Sequence, residues 1–369
     1  MASERQIVVG GIPIGGGAPV VVQSMTTTKT HDVEATLEQV GRLREAGADI
    51  VRVAVPGLPD ADALPEIVAR AGLPIIADIH FNASLALRAM DTGVAAVRIN
   101  PGNIGGADRV EAVVHKAQAT GTPLRIGANS GSLPEHLRPM ATADPAGALV
   151  SAAMEEVELL ERLGFHDFKI SVKSSSVPTM IEAYRRLAAR VTYPLHLGVT
   201  EAGLPGAGTV KSAVGIGTLL ADGIGDTIRV SLTADPVEEL GPAFAILQAL
   251  GLRQTGPNLI ACPSCGRTNV EVHELAGEVD QRLSAYSQHF EVAVMGCAVN
   301  GPGEAGNADF GIAGGRDSGF IYAHGEVLRK VPQERLVDEL FREIDGWIAL
   351  GMPRPERGKP MRVIGVVGA

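Results

Sequence analysis

The chain has 369 residues, is 45% hydrophobic and 20% charged, and carries a formal net charge of −10. That length calls for two domains, and the acidic balance argues against general nucleic-acid binding. No run of about 18 apolar residues offers a membrane span, and Met1–Gly10 has no apolar signal region, so a cytoplasmic protein that binds neither membrane nor nucleic acid is expected.

The elements then follow in chain order. The glycine cluster Gly15–Gly17 precedes a strand rather than opening a helix and reads as a turn. Eight short apolar segments come next: Pro19–Thr26, Asp49–Pro56, Leu73–His80, Ala95–Gly102, Leu124–Gly131, Asp167–Ser174, Pro194–Glu201 and Thr227–Ala234. Each is of strand length, rich in β-branched residues and bounded by Gly, Pro or polar residues. Helical patterns separate them. Asp144 suits an N-cap, Pro145 the first helical position and Gly164 the stop, with Leu149, Ala153, Val157, Leu160 and Leu163 at helical spacing between. Asp235-Pro236-Val237-Glu238 marks another helix start.

Strand then helix, repeated eight times over roughly 250 residues, is the pattern of a (β/α)8 TIM barrel. A barrel over residues 1–252 is expected, followed by a smaller α+β domain over residues 253–369. A doubly wound open sheet is the alternative, but no GxGxxG turn follows the first strand and no Walker A loop exists.

Barrel chemistry sits at the C-terminal ends of the strands. The polar residues gather in the later halves of the segments: Gln23, Arg52, Asp78, His80, Arg98, Asn100, Arg125, Asn129, Lys169, Lys173, His196, Thr200, Glu201, Arg229 and Ser231. Four arginines and two lysines then point to one rim, with Asp78 and Glu201 as the balancing acids. Arginine forks match phosphate oxygens, and several together suit a diphosphate. A single such arginine is more simply read as interlocked with acids in the interior, and His80 or His196 alone as a hydrogen-bonded core histidine.

From Gly251 the rhythm stops. All three cysteines follow, in Cys262-Pro263-Ser264-Cys265 and in the Gly/Pro-rich loop Gly296–Gly303 around Cys297. An odd count fits no complete disulfide scheme, and a CxxC pair points to metal or redox work. Three readings stay open on residue chemistry: an iron–sulfur cluster, a Cys3His zinc site using His273 or His289, and a thiol redox pair. A zinc-stabilised barrel that binds a phosphorylated ligand without redox chemistry is the functional alternative. In the cluster reading Glu304 or Asn300 offers an oxygen as fourth ligand. Gly358–Val367 is open between an added strand and a tail.

CPSCGRT and GCAVNGPGEA resemble the cluster domain of the bacterial 4-hydroxy-3-methylbut-2-enyl-diphosphate synthase family. QSMTTTKT, VRVAVP, ADIHF, VRINPGNIG, RIGANSGSL, ISVKSS, GVTEAG and IRVSLTADP are similar to its barrel segments in the same order, from about Val20 to about Gly311. The resemblance implies an iron–sulfur oxidoreductase of class EC 1.17.7 in the methylerythritol-phosphate route to isoprenoids (terpenoids). Such an enzyme reductively opens 2-C-methyl-D-erythritol 2,4-cyclodiphosphate to 4-hydroxy-3-methylbut-2-enyl diphosphate with two electrons. It implies a 4Fe-4S cluster held by Cys262, Cys265, Cys297 and Glu304. It assigns Arg52, Arg98, Arg125, Lys173 and Arg229, with Asn129, Thr200 and Ser231, to the diphosphate, and Glu201 to catalysis at the reacting hydroxyl. Asp78 and His80 join the substrate set. A homodimer is implied, one subunit's cluster domain capping the other's barrel, with flavodoxin or ferredoxin as electron donor.

Overall fold

The computed structural model describes residues 3–100, 104–268, 270–297 and 301–352. Asn300 and Gly358–Val367, singled out above, lie outside them. The chain divides into two compact units, Met1–Arg253 and Gln254–Ala369.

The first unit opens with a hairpin absent from the sequence reading. Strands β1 (Gln6–Val9) and β2 (Ile12–Gly15) pair antiparallel with Val9 opposite Ile12. Gly10 and Gly11 take φ values of 57° and 87°, the left-handed pair that a two-residue hairpin turn needs and glycine supplies without strain. Gly15, Gly16 and Gly17 also have positive φ, in agreement with the expected turn.

Eight parallel strands follow: β3 (Val21–Met25), β4 (Ile50–Ala54), β5 (Ile75–Asp78), β6 (Ala96–Arg98), β7 (Leu124–Asn129), β8 (Phe168–Lys173), β9 (His196–Leu197) and β10 (Thr227–Ile228). They run in the order β8-β7-β6-β5-β4-β3-β10-β9, and a single parallel bridge, Ile170 to Leu195, joins the two ends. This is the expected TIM barrel. Its last two strands are only 2 residues long each.

Strand side chains alternate between two environments. Val22, Val51, Val53, Val97, Ile126, Ile170, Val172, Leu197 and Ile228 join the large core beneath the helices. Their neighbours point into the barrel. At the strand starts these are Val21, Ile50, Ile76 and Ala96, which pack on Ile7, Val9 and Ile14 of the hairpin. The hairpin therefore stoppers the lower end. The helix Pro145–Arg162 begins as the sequence indicates: the Asp144 carboxylate accepts from the Gly147 amide.

The second unit has a five-stranded sheet, β11 (Asn258–Ala261), β12 (Glu291–Met295), β13 (Phe310–Gly314), β14 (Ser318–Ala323) and β15 (Glu326–Pro332). The first three are parallel and the last two return antiparallel. One face packs Phe290, Val292, Phe310, Ile312 and Ile321 against Leu340, Phe341 and Ile344 of the helix Leu336–Ala349. The other packs Ala293, Met295, Ala313 and Tyr322 on Ala305 and Ala308.

Candidate functional site

Above the apolar stopper the barrel interior turns cationic. Arg52 on β4, Arg98 on β6, Arg125 on β7, and Lys169 and Lys173 on β8 are all buried. Asp78, at the end of β5, is their chief acid. One of its oxygens lies 3.1 Å from Arg98 Nη1 and 3.3 Å from His80 Nε2; the other lies 3.4 Å from Arg52 Nε. Burial works against this carboxylate's charge, yet the Arg52 guanidinium, the His80 hydrogen bond and Arg98 outweigh it and hold the acid well below the usual carboxylate range. Burial brings Arg52 down to about 10 despite Asp78.

Arg229, just past β10, is held by Glu239 through two contacts of 3.3 Å. The sulfur of Met25 bridges Arg229 Nη1 (3.3 Å) and Arg52 Nη2 (2.9 Å). Arg125 donates to Ser171 Oγ at 3.0 and 3.3 Å, and its Nη1 has no partner among the described residues. Lys173 owes its room to Gly198, where an added Cβ would lie 2.8 Å from its Nζ. Burial, then Arg125, lowers the pKa of Lys173 well below the ordinary range, and both act likewise on His196. Asn129, Thr200 and Ser231 are half-buried at the strand ends. Glu201 is exposed with φ 54°, a left-handed backbone uncommon for a residue with a side chain and concentrated at functional sites.

Two expectations are corrected here. Lys169 and Arg125 do not stand on the rim: each is the second residue of its strand, the two are level, and they are 0% and 2% exposed. His196 is equally deep, its Nδ1 2.7 Å from Thr227 Oγ1, the hydrogen-bonded core histidine of the simpler reading. The second balancing acid is also a different one. Glu201 stands exposed, and Glu239, 3% exposed, meets Arg229 instead. The sequence reading missed Glu239 because it follows a helix-start signal, Asp235 to Glu238, that already explained acids there; the signal was a second adjacent acid turned inward.

In the second unit, Cys262 follows β11 and Cys297 follows β12, two adjacent parallel strands. Ser264, between Cys262 and Cys265, has φ 67°, a left-handed turn that brings Cys265 back. Thr268 fixes it by donating from Oγ1 (2.7 Å) and N (3.0 Å) to the Cys265 carbonyl. The Gly296 amide donates to Cys262 Sγ at 3.4 Å. All three cysteines line one pocket of about 140 Å³ with Ser264, Thr268 and Gly296. Neither His273 nor His289 lines it, and His289 Nδ1 lies 3.0 Å from the Gly256 carbonyl oxygen. Glu304 lies beyond that lining, exposed in the first turn of the helix Gly301–Asn307, so part of the expected loop is helical. Among the described residues no three His, Cys, Asp or Glu side chains converge on a single-ion position. Thiols ringing a pocket this size suit a polynuclear group, whose metals sit apart from one another, better than one tetrahedral ion.

A TIM barrel with a cationic interior and a sheet unit with three thiols around one pocket define a two-unit enzyme whose barrel suits an anionic ligand and whose thiols could hold a metal group. Family models match both parts, the GcpE TIM-barrel domain over residues 4–244 and the GcpE protein C-terminal domain over residues 258–346. The chain belongs to the GcpE family. It is 53% identical over 341 residues to 4-hydroxy-3-methylbut-2-en-1-yl diphosphate synthase (flavodoxin) of Clostridium perfringens, covering 92% of this chain and 98% of that one. It is 51% identical over 348 residues to the protein of the same name from Geobacter sulfurreducens, covering 94% and 99%. Among solved structures, dihydropteroate synthase from Stenotrophomonas maltophilia aligns with TM-score 0.48 at 17% identity over 67% of this chain and 98% of that chain, too distant to carry an argument.

Proposed function

We propose that this chain is a 4-hydroxy-3-methylbut-2-enyl-diphosphate synthase. It reductively opens 2-C-methyl-D-erythritol 2,4-cyclodiphosphate, with two electrons and loss of water, as a homodimer supplied by flavodoxin, the donor in its relatives' names. The observation that carries this reading is the barrel interior, where Arg52, Arg98, Arg125, Arg229 and Lys173 gather with Asp78 and Glu239 as their carboxylate partners. Such a gathering of guanidinium groups and a basic amine suits a ligand with several phosphate oxygens.

In this reading the four arginines and Lys173 bind the diphosphate, and Asn129, Thr200 and Ser231 donate hydrogen bonds to it. Asp78 and His80 hold Arg52 and Arg98 in position. Glu201, exposed at the mouth, supplies the proton with which the hydroxyl departs as water. Cys262, Cys265 and Cys297, with Glu304, hold a 4Fe-4S cluster. When bound, that cluster supplies the electrons singly and a Lewis-acidic iron.

The test is direct. Anaerobically purified protein should be brown and, with reduced flavodoxin, should convert the cyclic diphosphate to the linear allylic diphosphate, followed by phosphorus NMR. A colourless protein with stoichiometric zinc and no turnover would overturn the reading.

A further inference from the structure

Deep in the barrel two basic side chains stand side by side and no acid meets the first of them. Lys169 on β8 is level in register with Arg125 on β7. It is 0% exposed, and its Nζ has no hydrogen-bond partner among the described residues. The charged and titratable groups facing it are Arg125 from β7, Arg52 from β4, His196 from β9, Lys173 further along its own strand, and Asp226 just ahead of β10. Asp226 is the one acid among these, and it is engaged elsewhere, accepting from the Ser3 hydroxyl at 2.6 Å and the Leu195 amide at 2.7 Å. The apolar hairpin closes the barrel below. Compensating charge can therefore reach Lys169 only from the mouth, where the proposed substrate carries it. Burial, then the charges of Arg125 and Arg52, bring its ammonium down to about 7.

We propose that Lys169 is the barrel's charge regulator: neutral in the ligand-free protein, it gains a proton when a diphosphate settles among the guanidinium groups, so that ligand binding and proton uptake are one event. This rests on the anion-pocket reading given above. Lysine is suited to the role because its charge adjusts to its surroundings, whereas arginine at this position stays charged throughout. Binding then weakens as pH rises above about 7, by up to roughly tenfold per pH unit.

Titration calorimetry with inorganic pyrophosphate tests it, using the full chain purified anaerobically at pH 8 in HEPES and in Tris, whose ionisation heats differ. Pyrophosphate carries a proton of its own at pH 8, so the reading is the buffer dependence of the binding heat relative to the variants: the wild type should take up roughly half a proton or more per site beyond them. Lys169→Met should bind pyrophosphate yet lose at least half of that buffer dependence. Lys169→Arg, with a fixed charge, should lose it equally and decides the matter if the methionine variant does not fold. Full buffer dependence in either variant assigns the proton to another group and overturns the proposal. Identical buffer dependence in the wild type and in both variants, with pyrophosphate bound by all three, overturns it while leaving the anion pocket intact. No pyrophosphate binding by the wild type overturns both.

Discussion

Arg229 and Glu239 face each other through two parallel contacts of 3.3 Å, and the same carboxylate accepts the Leu232 amide at 3.0 Å. One acid thus orders both an interior arginine and the loop that follows β10. Removing the buried carboxylate leaves the half-buried Arg229 and the Leu232 amide without their acceptor, at a cost of about 1–3 kcal/mol. Glu239→Ala should therefore lower the unfolding midpoint in urea and weaken diphosphate binding together, while Glu239→Gln, which retains a hydrogen-bond acceptor, should be milder in both. Unchanged stability and affinity in the alanine variant would remove Glu239 from the site.

Replacing Arg52, Arg98 or Arg229 by Ala should raise the dissociation constant for the cyclic diphosphate without changing iron content. A charge-assisted hydrogen bond contributes roughly 1.5–3 kcal/mol, about one to two decades in affinity. Wild-type affinity in all three variants would show that the arginines serve the barrel alone.

Cys262→Ser, Cys265→Ser and Cys297→Ser should each lose iron, visible absorbance and turnover together, since thiolates are the main anchors of such clusters. Glu304→Ala should lose turnover while keeping much of its iron. A cysteine variant with full iron and full activity would refute the ligand set.

Asp78 sets an acid limit. Its carboxylate is favoured in the folded protein by Arg52, His80 and Arg98 despite burial. The folded pKa lies below the unfolded one, so the stabilisation is present above about pH 4 and is lost as pH falls further. Asp78→Asn should be less stable than wild type at pH 7, with the gap closing as the medium is acidified toward pH 2. A constant gap across that range would show that the loss has another origin.

Lys169 has the opposite slope. Its folded pKa of about 7 lies below the ordinary lysine value near 10.4, so between these two pH values the unfolded chain binds more protons and stability rises with pH. Lys169→Met should be more stable than wild type at pH 6, and the advantage should shrink by pH 9. An advantage that does not change with pH would place it in packing alone.

The barrel was legible because short β-branched apolar segments, bounded by Gly, Pro or polar residues and alternating with helical patterns, leave few other architectures. The rim cations were legible for the same reason: strand ends of a barrel are where chemistry sits. Depth along a strand was harder. Lys169 and Lys173 share a strand face, and only the register with Arg125 places one deep and the other near the mouth. Partners distant in sequence were also hidden: nothing local pairs Met25 with Arg229, 204 residues apart. The hairpin Gln6–Gly15 was missed because four-residue strands give too little periodicity to stand out. In the second unit β13 to β15 lacked any motif to draw attention to them.

The stopper formed by Ile7, Val9 and Ile14 makes the barrel a cul-de-sac. Molecules that enter at the mouth must back out by the same door, so a departing diphosphate and an arriving one compete for a single passage.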